Sequence, residues 1–183
     1  MRSSLLGLFK RSLIEEILSG SCRYDLEEAE LSSLNLDNVN LCKRRLIRSR
    51  LNSSHLRGSN LSEADLSEAN LVEADTSNAE IRNANLFQAD LTSANFTNTI
   101  LSKSNINEAN LRGLKANSAN LSDTRLYWSN LSGASLIGSN FSQAKLFFTK
   151  MIRSNLSNAN MSGASLIDVE ISGANFEPNL PSI

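Results

Sequence analysis

Large apolar residues recur at every fifth position from Leu26 to Phe176. The series runs through 31 units without an insertion; 21 of these positions are Leu, and only Thr76 and Ala116 lack a large apolar side chain. Two residues earlier, 25 of the 31 units carry a small residue, 15 of them Ala, 7 Ser and 3 Thr. Asn or Asp dominates between these positions, as at Asn60, Asp65, Asn70 and Asp75. A period of five fits neither regular element. On an α-helix five residues overshoot a full turn by about 140°, which spreads the Leu over every face. On a flat strand successive Leu alternate between faces. Every Leu points inward only if the chain turns by the same amount once per unit. Coils of such turns stack through backbone hydrogen bonds about 4.8 Å apart. Leu and Ala then fill the interior, and the outward Asn and Asp form ladders from coil to coil.

The units Ala64-Asp65-Leu66-Ser67-Glu68 and Ala69-Asn70-Leu71-Val72-Glu73 show a consensus that resembles the pentapeptide-repeat family over roughly residues 24 to 178. The resemblance implies an all-β solenoid, a right-handed quadrilateral parallel β-helix with four units per coil and nearly eight coils. Positions 20 apart then stack. Phe96 falls between Thr76 and Ala116, the large side chain between two small ones that a dense core requires. Leu114 stands where Ala is usual, beside the small Ala116.

A solenoid has two open ends. Leu5, Phe9, Leu13 and Ile17 recur at helical spacing, flanked by Leu6, Ile14 and Leu18, which predicts an N-terminal capping α-helix within residues 1–20. Arg2, Lys10 and Arg11 allow a membrane-surface helix instead, and Glu15 and Glu16 oppose it. The β-helix is expected over 21–178. Pro178 and Pro181 cannot donate to a ladder, so a C-terminal tail follows over 179–183. In the stretch 43–57, six Lys or Arg fall in 15 residues, and Arg44 occupies an inward position. Burying an unpaired guanidinium is costly, so this coil is expected to be distorted, with Arg44 reaching solvent or a carboxylate. Cys22 and Cys42 lie one coil apart and are expected as reduced thiols.

The formal net charge of -1 excludes a strongly basic nucleic-acid binder at whole-chain level. One His and two Cys exclude a zinc cluster and a multi-disulfide scaffold. No run of 18 apolar residues spans a membrane, and no secretory signal pattern is present; a cytoplasmic protein is expected. No phosphate loop, paired-cysteine or metalloprotease motif occurs, and the repeat itself places the abundant Ser and Asp. The expectation is a non-enzyme with no catalytic residues, cofactor or metal.

Departures from the repeat on the outside carry the functional signal. One face, built on Leu66, Leu86, Ile106, Leu126, Leu146 and Leu166, collects Phe87, Tyr127, Trp128, Phe147, Phe148 and Ile167. Tyr127, Phe147 and Ile167 should form one column, and Trp128 and Phe148 the next. Five of the chain's ten aromatic residues thus fall on one face, and an exposed aromatic patch marks an interface. The candidate occupants are a second copy of the chain, another protein, or the C-terminal tail folded back. Arg45, Arg48, Arg50 and Arg57 form a second candidate, either a band paired with nearby acids such as Glu27, Glu28, Glu63, Asp65 and Glu68 or a patch for an anionic partner. Family resemblance implies a scaffold or regulator, as in the cyanobacterial members. Its quinolone-resistance branch implies a dimeric DNA mimic that modulates a type II topoisomerase. That mimicry needs an acidic stripe, whereas the acids between residues 63 and 90 spread over all four faces and Arg45, Arg48, Arg125 and Lys145 interrupt the aromatic face. A protein partner or homodimer is therefore expected, without membrane insertion or direct nucleic-acid binding.

Overall fold

The computed structural model describes residues 14–17, 19 and 25–177. From Asp25 onward the chain is an uninterrupted coil of five-residue units. Each bridged residue pairs in parallel with the residue 20 positions on, from Glu30↔Arg50 to Asn155↔Asn175. Four units therefore make one coil, and the described residues build seven full coils and part of an eighth. Pairing takes the form of isolated bridges rather than extended strands. Two of every five residues are spent in a turn, and one residue per unit is bridged.

The unit Ala64–Glu68 shows why the arrangement is stable, because each of its five N–H groups finds an acceptor. Ala64 N donates to Leu61 O (3.1 Å), closing the turn of the preceding unit. Asp65 N reaches back one coil to Arg44 O (2.9 Å); Leu66 N and Glu68 N reach forward to Asn85 O (2.7 Å) and Phe87 O (2.8 Å). Ser67 N donates to the Asp65 carboxylate (3.1 Å). A buried backbone group without a partner would cost as much as a lost hydrogen bond, and this unit leaves none.

Two inward columns per face form the core. The Leu series from Leu26 to Leu156 is at most 2% exposed. Phe96 is buried between Thr76 and Ala116, as volume matching requires. Leu114 and Ala116 are both fully buried, so this unit carries its bulk on the other inward position. Ser and Thr replace Ala inside by donating to carbonyls. Ser54, Ser59, Thr124 and Ser139 bond the large residue three positions earlier at 2.6 Å, whereas Thr99 and Ser104 reach Thr76 O (2.8 Å) and Ile81 O (2.7 Å) in the coil below.

The expected distortion around Arg44 is absent. Its coil keeps the common turn and bridge pattern, with Arg44 N on Leu41 O at 3.1 Å. Arg44 heads its inward column among the described residues and is half-buried, while Ala64, one coil on, is 1% exposed. The half-buried side chain reaches solvent, as expected, without any distortion of the backbone around it. Of the expected N-terminal helix, residues 14–17 are described and helical, and Ile17 belongs to the core cluster at 1% exposure. Ser19 follows in a turn, its N–H on Glu15 O at 2.9 Å; the other residues of the expected helix, Cys22, Pro178 and Pro181 lie outside the described residues. Cys42 is a free, half-buried thiol.

Candidate interaction surface

Among the described residues, the second turn residue of every unit from Glu28 to Gly173 has positive φ. All thirty such positions, from Glu28 to Gly173, lie between +52° and +71°. This conformation favours Gly and Asn and costs other residues roughly 1–2 kcal/mol. No Val, Ile or Thr occupies any of these positions. Twenty-eight of them are polar or Gly; the two exceptions are Trp128 (φ 55°) and Phe148 (φ 56°). Two bulky aromatic side chains are thus held outside on a backbone that disfavours them.

They stack. The Trp128 and Phe148 rings are 5.4 Å apart with planes 4° from parallel. In the neighbouring column Tyr127 and Phe147 stack at 4.9 Å and 8°. Tyr127 meets Trp128 edge-on at 6.3 Å and 84°. Offset and edge-to-face pairs of this kind contribute about 0.5–1.5 kcal/mol each beyond burial. The two-residue, two-coil arrangement makes a rigid aromatic plate. Trp128 is 61% exposed, Phe148 46% and Ile167 51%, whereas Phe87, Tyr127 and Phe147 are half-buried. The six residues singled out in the sequence therefore occupy the two expected columns, with Phe87 two coils before Tyr127.

Local support for the plate comes from Asn107. In most units Asn or Asp at the bridged position accepts the N–H two residues on, as Asn60 does from Ser62 at 3.0 Å. Arg125 cannot do this for Tyr127. Instead Asn107, one coil below, accepts the Tyr127 N–H at 2.9 Å. Asn117 does the same for Ile137 at 3.0 Å.

The sequence reading left out the outward apolar residues Ile47, Val72, Ile100, Ile137 and Ile152, all exposed or half-buried. Ile47 is half-buried in the same column as Phe87 and Tyr127, and its register, two coils before Phe87, could have found it. Ile137 is 38% exposed on a different face and stands apart from the plate.

The four arginines do not converge. Arg45 bonds Asp25 and Glu27, both at 2.8 Å, and Arg48 bonds Glu27 at 2.7 Å and Glu28 at 3.2 Å. Arg50 pairs with Glu30 at 2.8 Å on a second face, and Arg57 with Asp37 at 3.2 Å and Asp75 at 3.8 Å on a third. Nearly every partner lies one coil away. These pairs are exposed, so each contributes at most about 1 kcal/mol, but together they neutralise the band. Glu63 pairs with Lys43 (3.6 Å) rather than with an arginine. The single histidine, His55, lies exposed 3.5 Å from Arg57. Among the described residues no group of three or more His, Cys, Asp or Glu is placed to hold a metal ion, and no helix is long and apolar enough to cross a membrane.

Comparison with known proteins agrees with this architecture. The pentapeptide-repeat profile matches residues 45–83, 79–113, 119–157 and 139–177, in eight copies. The break after residue 113 falls where Leu114 and Ala116 exchange bulk. HetL, a pentapeptide repeat protein involved in heterocyst differentiation regulation from the cyanobacterium Nostoc, is 32% identical; the match covers 84% of this chain and 75% of HetL, with a TM-score of 0.34. A pentapeptide repeat protein of the Arabidopsis thaliana thylakoid lumen is 33% identical over 50% of this chain and 67% of its own, with a TM-score of 0.44. Full-length QnrB1, a plasmid-mediated fluoroquinolone resistance protein, is 19% identical over 85% and 87% of the two chains, with a TM-score of 0.46. No curated protein matches the sequence. By the repeat, the 20-residue register and the profile match over more than half its length, the chain belongs to the pentapeptide-repeat family.

Proposed function

We propose that this protein is a non-enzymatic interaction scaffold or regulator of the cytoplasm. Its rod, taken as the right-handed four-sided coil of its family, presents the aromatic plate to another protein chain. One observation carries the reading. Trp128 and Phe148 are the only apolar side chains among thirty left-handed turn positions, and both stand exposed and stacked. Strained backbone is retained where function requires it, and large exposed aromatics are the residues that anchor protein interfaces. Involvement in regulation, the role borne by the Nostoc relative, fits a rigid surface without catalytic groups.

The test compares wild type with Trp128→Asp and Phe148→Asp by size-exclusion chromatography with light scattering, on purified protein over a concentration series and in clarified cell extract. Asp tolerates the left-handed turn, so both variants should keep the wild-type melting transition. The expected result is a higher-mass species in wild type that both variants lose. A species that both variants retain, or no such species in either setting, overturns the proposal.

A further inference from the structure

We infer that the aromatic plate takes an acidic segment of another protein, one in which carboxylates flank a large aromatic side chain, and that this segment runs around the rod rather than along its axis. The inference rests on the reading above and names the chemistry of the partner.

A net charge of only -1 hides a segregation of charge along the chain. Residues 61–100 carry seven Asp or Glu and a single Arg. Between Glu108 and Asp168 the order is reversed, with Arg112, Lys115, Arg125, Lys145, Lys150 and Arg153 against one acid, Asp123. The plate stands within this basic stretch, and all six cations are exposed. Lys150 pairs with Glu170 at 3.6 Å, both side chains more than half exposed. Arg112, Arg125, Lys145 and Arg153 have no ion pair among the described residues. In this they differ from Arg45, Arg48, Arg50 and Arg57, which the chain's own acids neutralise.

Register fixes where the free cations stand. Arg125 and Lys145 are bridged to one another along one edge of the plate, two positions before Tyr127 and Phe147. Lys150 is bridged to Asn130 along the opposite edge, two positions after Phe148. Beyond it lies the groove of about 360 Å³ lined by Arg112, Ser132, Gly133, Ile152 and Arg153. No acid lines this groove, and a Cβ at Gly133 would meet nothing within 4 Å. Along the axis the surroundings have the other sign. One coil before Trp128 stands Glu108, bonded to Gln88 at 2.8 Å, and one coil after Phe148 stands Asp168. Cations therefore border the plate on its two sides and carboxylates at its two ends. An acidic segment laid along the rod would meet Glu108 or Asp168, whereas one laid around it meets Arg125 and Lys145, then the rings, then Lys150 and the two arginines of the groove. Juxtaposed like charges are costly and complementary ones fix orientation at an interface. Arg clusters are a recurring receptor for acidic motifs, and the exposed rings of Trp128 and Phe148 supply the apolar anchor.

The experiment uses the full chain and a fluorescein-labelled random copolymer of Glu and Tyr, read by fluorescence anisotropy at low salt. Poly-Glu and an oligothymidylate of equal length are the comparisons. The copolymer is expected to bind at least about tenfold more tightly than either. Trp128→Asp should reduce it to the level of poly-Glu. Lys145→Glu and Arg153→Glu should each weaken it at least about tenfold, and Ser118→Asp, exposed on the opposite side of the rod, should leave it unchanged. Poly-Glu binding as tightly as the copolymer would overturn the part given to the rings. Oligothymidylate binding as tightly would make this a nucleic-acid surface and overturn the class of partner. A loss confined to one of Lys145→Glu and Arg153→Glu would overturn the path around the rod. A purified chain that doubles in mass with concentration, and that Trp128→Asp returns to the monomer, would make a second copy the occupant. If the copolymer fails to bind while Trp128→Asp still removes a higher-mass species from extract, the acidic chemistry is overturned and the interaction surface stands; if that species is missing as well, the reading above falls with it.

Discussion

Each unit asks something different of each residue it contains. The inward small position accepts Ser or Thr only if a carbonyl is within reach, and ten of the eleven fully buried polar residues meet that condition or are threonines and serines bonded within or between coils. Ser49 is the exception, with a buried hydroxyl that has no partner. A buried unsatisfied hydroxyl costs roughly 1–3 kcal/mol, so Ser49→Ala should raise the melting temperature. Ser54→Ala, which removes a 2.6 Å bond to Leu51 O, should leave it unchanged or lower it. Calorimetry of the two variants checks the pair, and equal shifts would contradict the assignment. The left-handed turn position makes a second demand. Gly133 has φ +71° and open space where a Cβ would lie, beside a groove of about 360 Å³ lined by Arg112 and Arg153. Gly133→Ala should therefore show the backbone penalty alone, about 1 kcal/mol, and Gly133→Val more, because β-branched side chains fit this region worst. Denaturant unfolding measures both. None of this was legible in the sequence beforehand. The period of five announces a turn but not which of its residues carries the positive φ, since Glu, Ser, Asn, Lys and Gly all occupy the position.

The element of this fold is the coil, and its neighbours above and below decide what it can hold. Volume in a column was readable from 20-residue spacing: Thr76, Phe96 and Ala116 were paired correctly because bulk must alternate with space. That logic gives a counter-intuitive prediction. Exchanging Leu114→Ala and Ala116→Leu together restores the repeat consensus, yet it sets Leu over Phe96 in a filled column. Overpacking costs about 1–3 kcal/mol, so the more regular sequence should be less stable in urea; a gain in stability would contradict the packing described. Of the expectation for Arg44, the contact with solvent holds and the distortion of its coil does not. The turn is closed by main-chain bonds, Arg44 N to Leu41 O at 3.1 Å among them, so the side chain leans out without deforming it. The outward ladders were also expected, and they occur: Asn105 Nδ2 donates to Asn85 Oδ1 (2.9 Å), and Asn85 Nδ2 donates to Asp65 Oδ1 (3.0 Å). The second duty of the same oxygens, accepting the turn N–H, was not foreseen. It is what makes Asn107 important. Asn107→Ala removes the acceptor of the Tyr127 N–H and should speed amide exchange at Tyr127 without shifting the global melt by more than about 1 kcal/mol.

At the scale of the whole molecule a solenoid is a sum of neighbouring contacts, so its faces can change chemistry from coil to coil without disturbing the core. The aromatic face uses that freedom: paired charge at Arg45 and Arg48, acids at Asp65 and Glu68, amides at Asn85, Asn105 and Asn107, then the plate at residues 127–148. The plate was visible in the sequence because large side chains 20 apart must share a column. The neutralisation of the arginine band was only partly visible, since surface pairing depends on rotamers that spacing does not specify. The central claim is that a protein chain covers this plate. Trp128 is the only tryptophan of the protein, so its fluorescence reports on the plate alone. The most direct measurement is acrylamide quenching of Trp128 over a titration with the unlabelled Glu–Tyr copolymer, with the bound fraction followed in parallel. The expected result is free access without copolymer and protection that rises with the bound fraction, accompanied by a blue shift of emission. A tryptophan that stays equally accessible while the copolymer binds would show that binding uses another surface and would contradict the claim.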